Sequence, residues 1–275
     1  MEVKMLLLLV IITAVYAENC SYIYDKVNYH KHEILSADGL PTNLVYNPNT
    51  KDLHFTLIDI ETLQNDNVQT KMDQYVLSEG VAFKIDEING QAAAVDVKND
   101  KVYIASDKGL YTLEGNETKL IGLKDEDIVQ VFKPANSDEI YTVLFPDSEV
   151  YAVHLKTFDR RRIENIPCAF IVIVDEDGNI FYECDSKYVK MLLKGFQEAI
   201  EFVGIPKNSA RALALDEKNR VILAANDGVY WLKADSIIPK KLMDLDFVPS
   251  GIAVGDNKIF LSTSGHIYEF SSDDC

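Results

Sequence analysis

The chain has 275 residues, with 27 Lys or Arg against 44 Asp or Glu, a formal charge of -17 at pH 7. A field of that sign repels nucleic acid and anionic lipid surfaces, so neither is expected as a partner. No apolar run reaches the roughly 20 residues that a membrane-spanning helix needs, so no membrane-embedded function is expected.

The first element, "MEVKMLLLLVIITAVYA", places Lys4 ahead of an apolar core from Met5 to Val15 and ends on small residues. It reads as a secretory signal peptide over 1-17, cleaved after Ala17, leaving a single domain over 18-275. The secretory route leads to an oxidising compartment, where Cys20, Cys168, Cys184 and Cys275 are expected to form two disulfides. Their spacing fits no zinc pattern, and CxxC is absent. "NCS" at Asn19 and "NET" at Asn116 fit the N-glycosylation acceptor rule.

"YIYDKVNYHKHEIL" follows, with a strand pattern but no partner strands beside it in sequence. Beyond it a motif recurs: Tyr inside a short apolar run at Tyr75, Tyr111, Tyr151, Tyr188, Tyr230 and Tyr268, at intervals of 36, 40, 37, 42 and 38 residues. Apolar runs opening at Leu53, Val102, Ile140, Ile180, Val221 and Ile259 keep the same beat, nearly all after polar turns such as "KND", "DEDGN", "DEKN" or "GDN". Asn, Asp and Gly tolerate the backbone angles of tight hairpins, so each period holds hairpins.

One full period, "AAAVDVKNDKVYIASDKGLYTLEGNETKLIGL", contains four runs of strand length, which is the make-up of a propeller blade. An earlier copy runs from Asn43 to Ile88 with an added polar stretch, "ETLQNDNVQTK", and three more follow the full period. Within them, Ser186 to Gly204 is rich in helix formers but keeps the Tyr beat, so it is read as two strands. The sixth copy, from Ser250, stops one strand short, and the N-terminal segment supplies the missing strand. The fold class expected is therefore all-β: one six-bladed β-propeller closed by an N-terminal strand that completes the last blade, which leaves no long exposed edge. Cys20 and Cys275 then lie where other blades have a connecting loop and should pair, while Cys168 and Cys184 should pair across the "DEDG" hairpin. The repeated Tyr residues, and Trp231 beside one of them, are read as packing between blades.

No phosphate loop, GxSxG elbow or HExxH is present. "HKH" at His30 to His32 puts two imidazoles on one strand face without a third ligand, Asp175 opens a hairpin turn, and "RRR" at Arg160 to Arg162 reads as a solvated outer strand. The innermost strands should begin near Asn43, Gln91, Asp127, Ala169, Arg211 and Ser250, so these positions face the channel mouth. One acid and one Arg there argue against a calcium-dependent lactonase or esterase, which needs several carboxylates and is kept as the alternative.

The leader with "ENCSYI", the single-domain length, and "NDGVYWLKADSIIPKKLMDLDFVPSGIAVGDNKIFLSTSGHIYEF" resemble the ommochrome-binding proteins of lepidopteran haemolymph. The resemblance implies a secreted, non-enzymatic carrier of planar tryptophan-derived pigments bearing carboxylates; the chain is expected to be a monomer, without cofactor or metal. For such a ligand the residues suggest Arg211 as carboxylate anchor, Lys108 or Lys187 in its place, and Asn43, Gln91, Asp127 and Ser250 as channel-mouth contacts. A protein-binding extracellular propeller is the third reading.

Overall fold

A computed structural model describes residues 20–275 apart from 66, 67, 116, 186 and 274 and the side chains of 86 and 87; the segment 1–17 read above as a signal peptide, Asn19 and Asn116 lie outside the described residues. The chain is all-β, with 24 strands and one helical turn, Ile60–Leu63, among the described residues. No described helix is long and apolar enough to cross a membrane.

Hairpins follow the turn chemistry of the sequence. Asp100, Asn219, Asp256 and Asn257 all take positive φ, between 50° and 58°, at the tips where "KND", "EKN" and "GDN" stand. The added polar stretch begins as the helical turn, whose Asp59 accepts from the backbone N–H groups of Glu61 and Thr62.

Three sheets are plain four-stranded antiparallel meanders, starting at Ile128–Phe132, Ala169–Val174 and Ala210–Leu215. The segment rich in helix formers holds the strands Tyr188–Leu192 and Ile200–Glu201, because the seam packing of Val189 and Met191 overrides propensity. A seven-stranded sheet joins two further units through one strand, Val81–Asp96. Its first part pairs with Met72–Ser78 and its second with Lys101–Ser106, so it is outermost in one unit and innermost in the next. In the last sheet Gly251–Gly255, Lys258–Thr263 and His266–Ser271 are completed by Val27–Ser36 from the N-terminus. The borrowed strand starts later than the sequence suggests, because Tyr22–Tyr24 turns back at Asp25 and Lys26 to form a fifth strand outside it.

Both expected disulfides are present, with Cα atoms 5.9 Å apart for Cys20–Cys275 and 4.9 Å for Cys168–Cys184. Apolar clusters fill each seam between successive units, and a further one sets Ala253, Phe260 and Ile267 of the last sheet against Leu44, Leu53 and Phe55 of the first. Each cluster takes one repeated Tyr: Tyr111, Tyr151, Tyr188, Tyr230 and Tyr268 in order, with Tyr75 in the seam between last and first. The Tyr230 hydroxyl donates to Asp227 over 2.7 Å, so the ring is dry and its polar end is satisfied.

Candidate functional site

The innermost strands of all six units line one cavity, where about 210 Å³ is open to water-sized molecules. Leu44, Val45, Ala93, Val131, Ile171, Leu213 and Ile252 make it largely apolar, with Asn43 and Gln130 as neutral polar groups. Lys133 lines it near one end, its ammonium buried and donating to the carbonyls of Pro134 and Ser137 at 2.8 and 2.6 Å, with the Asp96 carboxylate at 3.4 Å. Burial pushes the Asp96 carboxyl up, but its Asn99 hydrogen bonds and Lys133 outweigh this and hold it below the usual carboxylate range.

The opposite end is built by a repeated irregularity. Five of the six innermost strands slip register near their start, between Thr42 and Val45, Gly90 and Ala92, Ile128 and Gln130, Ala169 and Val172, and Ala210 and Ala212. Such bulges re-aim side chains and are frequent beside active sites. Asn43, Gln91, Val129, Phe170 and Arg211 fall within these slips, and of them Asn43 lines the cavity itself. The sixth strand starts instead at Gly251, where a Cβ would fall 2.5 Å from Leu44 Cδ1 and 2.8 Å from Ser262 Oγ, so a larger residue would make both side chains shift.

The sequence-selected polar residues here mostly bond one another. The Asn43 amide donates to the Gln91 carbonyl, and the Gln91 amide donates to Asp127 Oδ1. Ser250 donates to the Pro41 carbonyl, while Thr42 donates to the Ser250 carbonyl over 2.8 Å. Lys108 and Lys187 stand exposed in loops at this end, and their carbonyls accept from Asp125 and Asn208. Arg211 is exposed and donates from Nε to Asn226 Oδ1 over 2.7 Å, rather than to Asp127. Phe170, which the sequence did not single out, is 43% exposed.

The mouth does not fit a calcium ion. Among the described residues, one group of three His, Cys, Asp or Glu brings its ligand atoms together, Cys168, Cys184 and Asp185, and two of these are spent in a disulfide. Of the six positions Asn43, Gln91, Asp127, Ala169, Arg211 and Ser250, Asp127 alone is a carboxylate, whereas calcium takes six to eight oxygens with several anionic. The "HKH" pair forms no such group, and Asp175 closes its hairpin by accepting from the backbone and side chain of Asn179. The outer arginines 160, 161 and 162 bridge Glu126, Glu139 and Glu149.

No family model and no curated protein matches the chain. Solved structures do share its fold. A gluconolactonase from Xanthomonas campestris superposes with a TM-score of 0.68 at 7% identity, covering 90% of this chain and 91% of its own. A further structure, described as a putative gluconolactonase, gives 0.66 at 12% identity, covering 88% and 92%. A luciferin-regenerating enzyme gives 0.59 at 12% identity, covering 88% and 95%. The expectation of a non-enzymatic protein is corrected by these structures, which are named as enzymes. That expectation rested on the family resemblance and on finding one acid among the inner strand starts; in this architecture neighbouring site residues come from separate sheets some 40 residues apart and leave no contiguous motif.

Proposed function

We propose that the six units form one closed six-bladed propeller, secreted and monomeric, that hydrolyses a small ester or lactone admitted at the bulged mouth. The apolar seam between last and first sheets supports closure, and the disulfides support an extracellular setting. The observation that carries the reaction is the hydrogen-bonded row of Asn43, Gln91 and Asp127 at the open end of an otherwise apolar cavity. With Oδ1 held by Gln91, the other Asp127 oxygen takes a proton from the water that adds to the ester carbonyl. That proton passes to the leaving alkoxide as its C–O bond breaks. The donor set at the mouth does not suit a metal, and Asp127 acts on the water directly. Turnover of aryl acetates and small lactones, measured with and without a chelator, tests this. Chelator-resistant turnover that falls at least about a hundredfold in Asp127→Asn supports the reading, and its absence on every ester overturns it.

The apolar lining also favours a second reading of the ligand, a planar pigment of the ommochrome class implied by the sequence resemblance. A visible absorption band on protein purified from its natural fluid supports that ligand; a colourless preparation that takes up no xanthommatin counts against it.

A further inference from the structure

The two ends of the cavity differ in chemistry. At the strand starts Asn43 and Gln130 line it with neutral polar groups, beside the row that leads to Asp127. At the strand ends the lining is Tyr46, Val97, Ala135, Leu215 and Val254, of which Val97, at 40%, and Ala135 are exposed. A residue that both lines a cavity and faces solvent marks where the two meet, so the cavity opens at this end as well. Lys133 lines the same end, but its charge is met by Asp96 and its N–H groups by two carbonyls, so it holds nothing out to a ligand. Between the ends Leu44, Ala93, Val131, Leu213, Ile252 and Ala253 are all buried, which leaves a narrow apolar waist.

We infer that the cavity is a through-channel for one unbranched hydrocarbon chain, with the ligand's polar head at Asn43 and its tail leaving past Val97 and Ala135. Each methylene withdrawn from water adds to binding, and the waist side chains offer no hydrogen bond to a hydroxylated chain, which would lose its water there. An engineered apolar cavity of about 150 Å³ holds benzene, so about 210 Å³ holds about eight carbons, and a longer chain emerges through the second opening. The channel deepens the proposed hydrolase, on which this step rests, by naming its substrate class. That class is esters of straight-chain fatty acids of medium length, with the ester at the Asp127 row and the leaving alcohol outside the mouth.

Calorimetric titration of the intact protein with 1-butanol, 1-hexanol, 1-octanol and 1-decanol tests the channel. Affinity should rise about fourfold per methylene as far as octanol, and decanol should bind no more weakly, because its last carbons emerge instead of clashing. Ala135→Trp adds bulk at an exposed position, which the fold tolerates, and should weaken decanol by about tenfold while leaving butanol unchanged. Ala135→Ser should bind all four like the parent. Decanol bound far more weakly than octanol overturns the second opening, and affinity that ignores chain length or ignores Ala135→Trp overturns the channel. So does 2-naphthylmethanol bound as tightly as decanol, since the waist then admits a fused ring. Ester hydrolysis reports separately: if p-nitrophenyl acetate turns over while no alkanol binds, the channel fails and the hydrolase stands. If the alkanols follow the expected pattern while no ester turns over, the hydrolase fails and the channel stands.

Discussion

His54 shows how one side chain ties stability to pH. It sits on Asp52–Ile58 with 2% of its surface exposed, and neither ring nitrogen has a hydrogen-bond partner. Burial depresses its pKa from 6.5 to about 4, against a small opposing pull from Asp52. The unfolded chain therefore takes up a proton below pH 6.5 that the folded chain refuses. Stability is full above that value and falls as the pH drops toward 4, by on the order of 3 kcal/mol. Urea midpoints across that range check this. His54→Leu should remove most of the slope and cost little at neutral pH, since no hydrogen bond is lost. Lys133 makes the converse case, a buried charge whose partners are all in place. Lys133→Met strands the Asp96 carboxylate and should cost about 3 to 5 kcal/mol, and adding Asp96→Leu should return most of it, as seen by denaturant unfolding. Neither residue stood out in the sequence, because a His or a Lys inside an apolar run says nothing of which seam it faces.

At the scale of single elements, the N-terminal strand decides whether the last sheet is whole. Three devices besides its ladder hold Val27–Ser36 and the turn before it. The Asp25 carboxylate bridges Lys240 at 2.6 Å and Arg220 at 2.8 Å, and the Lys31 ammonium lies 4.0 Å from the Tyr268 ring centre and 4.3 Å from that of Phe247. The third is the Cys20–Cys275 bond. Lys240 and Arg220 hold the Asp25 carboxyl down from 3.8 to about 2, so its stabilisation is present above pH 3.8 and is lost as the pH falls to about 2. Because the pair is partly open to solvent, Asp25→Asn should cost only about 1 kcal/mol, read as earlier amide exchange in Val27–Ser36 at neutral pH. The borrowing itself was legible in the sequence, from a sixth copy one strand short and a spare strand at the start. The fifth strand was not, since Asp25 and Lys26 adopt positive φ without the Gly that would have announced a turn. The bulges were hidden for a similar reason: a register slip leaves residue types unchanged, so Phe170 read as one more apolar strand residue.

For the whole molecule, the repeat of Tyr and hairpin turns sufficed to place nearly every strand, because each unit buries its faces only against its neighbours. Function was less legible. The mouth draws single residues from successive units, and their meaning depends on which way a bulge turns them. Acidic self-repulsion is also a property of the whole: raising salt from about 10 mM to about 300 mM should raise the melting temperature, by screening a net charge of -17. The two disulfides act over unlike spans, with sequence separations of 255 and 16. On the chain-entropy model the longer is worth about 5 kcal/mol and the shorter about 3, so paired Cys→Ser replacement of Cys20 and Cys275 should lower the denaturation midpoint more. That longer bond has another consequence. With Cys20 and Cys275 joined, the polypeptide between them is a covalent circle closed through sulfur. A protease that cuts one exposed loop converts the circle into a line without releasing a fragment. The clipped molecule keeps its full mass on a gel until a reductant is added, and then parts into two.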